Sequence, residues 1–436
     1  MVTKEHHIDF FILLYHFPEK RIIFINHITG GSSKPDLNYY FLIKTVINKY
    51  SYVHKEFMNI EKFTEKMGRL IKAANAIYYT FEPKELPVKI DYNEDLIKIL
   101  SDAILSLGNL SSIGNRLKNP HLLIIPYLKK EAILSSKIEG TRTSLEEIFL
   151  HEKKDKKPID NDLQEVINYV NSMEYGLKEI QTRSIDENLI KELHIILMKG
   201  VRGENKDPGK YKIFQNWIGS SSDILEAKFI PASPETTPVL MKNLTDYLNG
   251  YEKVAELIKA SLIHYQFESI HPFRDGNGRL GRLLIILYLC KTKVLSQPLL
   301  YLSAYFEKYR DEYNQKLFDV SSKGDIENWV KFFLKGIKIQ SDEALEKTSN
   351  LEDYREECRD LLQKKSNSVN VLRLLDYLFA NPFITIPEAA KILDSYYPTA
   401  ERNIKILVKN GILEEFKGKR RARIFRAPKI MEILDI

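Results

Sequence analysis

Apolar positions along the chain recur mainly at three-to-four spacing, the period of a helix with one buried face. That spacing predicts helices over Asp95–Leu110, Ile125–Ile138, Leu163–Ile180, Ile185–Met198, Val254–Ile270 and Tyr301–Val320. The whole stretch from about Phe63 to Phe149 reads as helical, interrupted at Pro83 and Pro87. Leu283–Cys290 is a continuous apolar run that continues a helix, Glu327–Leu334 is another helical segment, and Arg355–Lys365 reads as a charged helical connector. Strand-type composition, Val, Ile and aromatic residues bounded by Gly, Ser and Pro, is found near Trp217–Gly219 and at Lys228–Pro231. From about Ser366 the order is helix (Val371–Ala380), helix (Pro387–Leu393), helix (Thr399–Asn410) and two strands, Ile412–Phe416 and Arg421–Arg426, around a turn at Gly418. Asn410-Gly411 ends the third of these helices as a C-terminal glycine commonly does. His151–Asp160 is a charged linker. Within the first 60 residues, Phe10–Leu14, Arg21–Ile25 and Tyr39–Val46 suit strands or short helices, and no function attaches to them.

Composition adds bounds. The 436 residues suffice for two or three domains, and 44% hydrophobic with 28% charged residues is ordinary for a globular protein. The net charge of +6 is mild, so its local distribution carries more information. Two cysteines, Cys290 and Cys358, make neither a disulfide framework nor a zinc site, which fits a reducing cytoplasm. No stretch reads as a membrane span, and Ile8–Tyr15, short and containing Asp9, does not read as a signal peptide.

One stretch concentrates chemistry: His271-Pro272-Phe273-Arg274-Asp275-Gly276-Asn277-Gly278-Arg279-Leu280-Gly281-Arg282. Pro272, Gly276 and Gly278 break the chain between two helices. Glycines admit a ligand close to the backbone, and the free N–H groups of a helix start favour an anion. Arg279 and Arg282 share a face of that helix. A histidine and a carboxylate beside an anion seat suit proton transfer and magnesium binding. Taken singly, a Gly-Asn-Gly turn is usually only a turn, and His264, seven residues before His271, is most simply a packed core residue.

The string matches H-x-F-x-D/E-G-N-G-R-x-x-R at every fixed position and resembles the signature of the Fic family. The resemblance implies a mainly α fold: a helical core with a small β-hairpin flap, followed here by a unit resembling a winged helix-turn-helix. It divides the chain into residues 1–60 of unassigned role, an N-terminal helical module (61–157), a catalytic core (158–345), a connector (346–365) and the winged helix (366–436). It implies transfer of AMP from ATP to a Ser, Thr or Tyr hydroxyl of a target protein or of the chain itself. In this reading Gly276, Asn277 and Gly278 hold the α- and β-phosphates through backbone N–H groups. Asp275 holds Mg²⁺, Arg279 and Arg282 balance the outer phosphates, and His271 is the base. Arg310-Asp311-Glu312-Tyr313-Asn314 occupies a place where family members often carry two tyrosines. Tyr313 is then the candidate adenine neighbour, with Asn314 in place of the second tyrosine. Lys228, Phe229, Ile230 and Pro231 form the arm of the flap that aligns a target by strand addition.

A second segment, Ser135-Ser136-Lys137-Ile138-Glu139-Gly140, resembles the family's inhibitory pattern S/T-x-x-x-E-G/N at Ser135, Glu139 and Gly140. It implies that Glu139 binds Arg282, in a bidentate contact, and blocks productive ATP placement. Three alternatives stay open: removal of AMP with Glu139 positioning a water, transfer of another nucleotide or of phosphocholine, and a nucleotide-sensing DNA-binding regulator. The basic run Lys417, Lys419, Arg420, Arg421, Arg423 and Arg426 makes duplex DNA a candidate partner. A homodimer is the other candidate assembly.

Overall fold

The computed structural model describes residues 60–435 except 75, 117–120, 152–159, 220, 366–367 and 418–422. The readings for residues 1–59, for most of the 151–160 linker and for Lys419, Arg420 and Arg421 therefore lie outside the described residues.

Two helices form the axis of the core. Helix α7 (Glu256–Ile270) is buried at every position after its first, and α8 (Asn277–Lys291) at nearly every position. A helix buried on all sides needs neighbours all round, and α7 has them in α8, α6 (Thr237–Asn249), α11 (Ile326–Lys365) and strand β2 (Tyr79–Pro83). In front of them come α1 (Glu94–Arg116), α2 (His121–Ile138), α3 (Leu145–His151), α4 (Asn161–Glu179) and α5 (Glu187–Leu197). Asp160 and Asp186 open α4 and α5 by accepting the N–H of Leu163 and Leu189, satisfying helix donors that have no carbonyl behind them. The order continues with α9 (Ser303–Lys308) and α10 (Arg310–Lys323), which divide the predicted Tyr301–Val320 helix at Tyr309.

Three expectations change. Residues 63–90 are not helical: β1 (Gly68–Lys72) and β2 pair antiparallel, Gly68 opposite Pro83, and tyrosine, phenylalanine and threonine on β2 suit a pleated, half-buried surface. The boundary drawn at residues 345/346 falls inside α11, a single 40-residue helix. Its first half packs on the core, and Cys358 and Leu362 continue the buried stripe to its end. Glu94–Asn115 in α1 does reach membrane-span apolarity, with mean hydropathy 1.4. Its buried face (Leu96, Ala103, Leu107, Leu110) packs along α11.

The last unit comprises α12 (Val369–Ala380), β3 (Phe383–Thr385), α13 (Ile386–Leu393), α14 (Tyr397–Lys409), β4 (Glu414–Lys417), β5 (Ile424–Arg426) and α15 (Pro428–Leu434). Its sheet is antiparallel in the order β3-β5-β4. Thr385 and Glu388 close a reciprocal capping box at the start of α13. Strand β3 and helix α15 go beyond the predicted three helices and two strands.

Candidate active site

The site is built where α7 ends and α8 begins. His271 is the C-cap of α7 at φ 50°, ψ 60°. Left-handed backbone costs a non-glycine residue on the order of 1 kcal/mol, and it turns the chain sharply enough to set His271 beside the next helix start. Gly276 precedes α8 at φ 75°, and a Cβ there would meet Met198 Sδ at 2.7 Å. Asn277 staples the loop between them: its Oδ1 accepts the Phe273 N–H at 2.8 Å and its Nδ2 donates to the Phe273 carbonyl at 2.7 Å. The N–H groups of Asn277, Gly278 and Arg279 have no carbonyl behind them in the helix, which makes the start of α8 an anion seat.

A carboxylate of the chain itself already occupies it. Helix α2 ends at Ile138 and the chain turns at Gly140 (φ 103°). Glu139 thus stands at the end of one helix, where a negative charge is unfavourable, and reaches the start of another, where it is favourable. Its carboxylate lies over Gly278, so that a Cβ at 278 would collide with it and stand 3.0 Å from Arg282 Nη1. Arg282 Nη2 donates to Glu139 Oε1 at 2.7 Å and to the Ser135 carbonyl at 2.8 Å, while its Nε donates to Ser135 Oγ at 2.9 Å. The arginine is 2% exposed and the glutamate 41%, so the carboxylate lines an open cleft with a buried cation behind it. Burial works against its ionisation, but the charge and hydrogen bond of Arg282, with Arg279 and His271, hold the Glu139 carboxyl below the usual range. The contact is to one carboxylate oxygen, not bidentate.

Burial, then the Lys212 ammonium, lowers His271 to about 4, so the ring is neutral at physiological pH and able to accept a proton. Glu268 Oε2 lies 3.7 Å from His271 Nδ1. Burial pushes that glutamate up to about 8, which keeps it protonated. Asp275 Oδ1 accepts the Gly276 N–H at 2.7 Å and Oδ2 pairs with Lys206 at 2.7 Å. Burial opposes its ionisation and is outweighed by Lys206, which keeps the carboxyl below its ordinary range. Among the described residues no three His, Cys, Asp or Glu side chains gather as a metal site. Magnesium needs only one or two protein carboxylates when substrate phosphates and waters complete its shell, and Asp275, a hard oxygen donor beside the anion seat, fits it.

The chain matches the model of the Fic/DOC family N-terminal domain over residues 97–178 and that of the Fic/DOC family over residues 184–289. This chain carries the Fic/DOC family domains. It is 27% identical over 311 residues to a probable protein adenylyltransferase of Aquifex aeolicus (strain VF5), covering 69% of this chain and 86% of that one. To a protein adenylyltransferase of Caenorhabditis briggsae it is 32% identical over 163 residues, 36% of this chain but only 28% of the nematode protein. The fold is that of a Fic family protein from Desulfovibrio desulfuricans G20, with a TM-score of 0.51 at 19% identity, covering 78% of this chain and 97% of that one.

Within the Fic core His271, Asp275, Gly276, Asn277, Gly278 and Arg282 converge with Ser135 and Glu139. Two expected residues lie elsewhere. Arg279 is 3% exposed and donates to Glu165 Oε2 at 2.9 Å, a buried pair with α4. Tyr313 is also 3% exposed, stacked on Phe306 at 4.6 Å, with its hydroxyl 2.8 Å from His264 Nε2. In this arrangement the Tyr313 ring offers no open face to a base, and His264 sits in the core. The flap is reduced to one antiparallel bridge, Ile218 with Phe229. Lys228 is exposed, whereas Phe229 and Ile230 pack under the arm against Phe81, whose N–H donates to the Ile230 carbonyl at 2.9 Å. Pro231 accepts from Gln215 Nε2 at 3.1 Å.

Several residues at the site were given no role by the sequence. His194 takes the Gly209 N–H on Nδ1 (2.8 Å), so its Nε2 bears the proton donated to the Asp275 carbonyl (3.0 Å), and it stacks on Phe273 at 3.9 Å. Lys206 reaches Asp275 from an irregular loop. Lys212 and Asn216 lie behind His271. Only Glu268 had a readable cue, three residues before His271 on one helix face.

Proposed function

We propose that this chain is a protein adenylyltransferase, moving AMP from ATP to a hydroxyl of a target protein or of itself, and that Glu139 holds it back. The observation that carries the reading is a carboxylate seated on the first turn of α8 and bonded to Arg282, an internal anion where a nucleotide phosphate would bind. Once Glu139 withdraws, the N–H groups of α8 and Arg282 are free to orient the phosphates. His271 takes the hydroxyl proton as the oxygen bonds to the α-phosphorus and the bond to the departing pyrophosphate breaks. A positioned histidine base contributes ~10²–10⁴-fold, and fixed donors around the phosphates supply the rest by orientation and charge stabilisation. Magnesium, held by Asp275, would neutralise phosphate charge when bound.

ATP labelled at the α-phosphate tests this. Label should transfer to protein in the wild type and more strongly in Glu139→Gly. His271→Ala should bind ATP yet transfer nothing; near wild-type labelling by that variant would remove His271 as base. Removal of AMP is the second reading, favoured by the solvent-open carboxylate of Glu139, which could hold a water. Release of label from premodified protein distinguishes it. For the C-terminal unit, the two packed helices and three-stranded sheet support a winged helix. Arg423 and Arg426 are already paired with Glu415 and Glu414, which leaves, within the basic run, Lys417 and residues 419–421 for contact with DNA phosphate.

A further inference from the structure

Behind the cleft, the segment entering the flap grips the chain that carries His271. The Lys212 Nζ donates to the Ile270 carbonyl at 3.0 Å, and the Lys212 N–H to that of Pro272 at 2.8 Å. Asn216 Nδ2 donates to the carbonyls of His271 (3.0 Å) and Phe273 (2.7 Å), and its Oδ1 accepts from Lys212 Nζ at 2.8 Å. Four consecutive carbonyls, 270 to 273, are therefore taken by two residues. The last carbonyls of a helix normally turn to water or a cap. Here two residues from outside the loop hold them, the Phe273 carbonyl being shared with Asn277 Nδ2, and the left-handed His271 backbone lies between the held carbonyls.

We propose that Lys212 and Asn216 are positioning residues of this site, holding the Ile270–Phe273 carbonyls so that the His271 ring is fixed toward the cleft and tied to the flap. The tie is Gln215, between the two, whose Nε2 donates to the Pro231 carbonyl on the flap arm at 3.1 Å. A target that pairs with the flap thus bears on the base through one five-residue segment. Lys212 is 2% exposed, and a buried lysine is a costly way to fill space. Burial lowers it to about 7 while the Glu82 carboxylate on β2 opposes this, so at acid pH it is an ammonium beside the imidazole. The charged or titratable groups facing His271 are Lys212, Glu139 at the end of α2, Glu268 on α7 and Asp275 in the loop.

The test reads the histidine and the reaction separately, so that it does not depend on the activity proposed above. Ring resonances of the chain's 10 histidines are titrated by NMR, and His271 is identified by its loss in His271→Ala. Lys212→Met should raise the His271 midpoint by about one unit, because a like charge disfavours protonation. In the Glu139→Gly background it should lower kcat roughly 10–100-fold, as small misplacements of a reacting group do, with KM for ATP little changed. Lys212→Arg, which keeps charge and donors, should restore most of both. An unmoved midpoint together with an unchanged kcat overturns the proposal. If Lys212→Met fails to fold, Asn216→Ala serves: it removes two carbonyl donors and no charge, so kcat should fall with the midpoint unmoved, and an unchanged kcat overturns the proposal. Absence of transfer in Glu139→Gly would count against the adenylyltransferase reading, while the titration of His271 would still decide whether Lys212 acts on the ring.

Discussion

Replacing Glu139 by glycine removes the carboxylate that competes with a nucleotide phosphate, and its effect can be sized from the contacts. One charge-assisted hydrogen bond joins Glu139 to Arg282 at 2.7 Å. Such a bond contributes ~1.5–3 kcal/mol when fully desolvated, and with the glutamate 41% exposed, about 1–2 kcal/mol survives solvent screening. A carboxylate at a helix start adds ~0.3–1 kcal/mol. The sum, roughly 1.5–3 kcal/mol, corresponds to an activation of about 10–150-fold at 1.36 kcal/mol per factor of ten. Arg282 keeps Ser135 Oγ and the Ser135 carbonyl as partners, so the variant should fold and the freed arginine should stay aimed at the cleft. The assay is the initial labelling rate at saturating ATP for wild type, Glu139→Gly and Glu139→Gly/Arg282→Ala. The single variant should exceed wild type within that range, and the double variant should lose the gain. Equal rates for wild type and Glu139→Gly would refute the latch.

The latch also has a pH signature. Glu139 has a folded pKa below its ordinary 4.5. The pairing is thus fully present above that value and is lost only as pH falls through the lower folded value. Between about pH 5.5 and 8 the ratio of Glu139→Gly to wild-type rates should be flat, whatever the absolute rates do. A ratio that collapses near pH 6 would mean that another group governs inhibition.

Three further outcomes follow from named contacts. Lys206→Met should free Asp275 from a partly exposed ion pair worth ~0–1 kcal/mol and so tighten magnesium binding up to about fivefold by calorimetry; unchanged or weaker binding would contradict competition between Lys206 and the metal for Asp275. Burial holds His194 at about 4, His264 at about 3 and His271 at about 4, all below the unfolded 6.5. Their contribution is complete above pH 6.5 and is lost as pH falls toward 4, by roughly 2–3 kcal/mol per histidine. Denaturant midpoints should drop over that window, and a flat profile to pH 4.5 would contradict the burial argument. Duplex DNA binding, if the C-terminal unit provides it, should be weak and steeply salt-dependent, and neutralising Lys417, Lys419, Arg420 and Arg421 should abolish it. Binding unchanged by that substitution would exclude the wing as the contact.

The residues legible in the sequence share one property: their roles depend on local spacing. The His271–Arg282 string could be read because a helix end, two glycines and a helix start need only neighbouring positions to make an anion seat. Helical periodicity likewise located α2, α4, α5 and α7 to within a few residues, and α1 apart from its last six. Its failures came where a different period or a partner far along the chain decided the structure. The strands β1 and β2 fell inside a stretch read as helical because Phe81 is buried with Ala227, Phe229 and Ile230, about 150 residues away. The two arginines show the same limit more sharply. Three residues apart on one helix face, they look equivalent in sequence, yet Arg282 meets Glu139 at the open cleft while Arg279 meets Glu165 in the core. Spacing gave them a common face, and only the placement of α2 and α4 against α8 decided which faces a ligand. Lys212 and Asn216 sit beyond even that reach, because holding four successive carbonyls from outside the loop leaves no pattern in the loop itself.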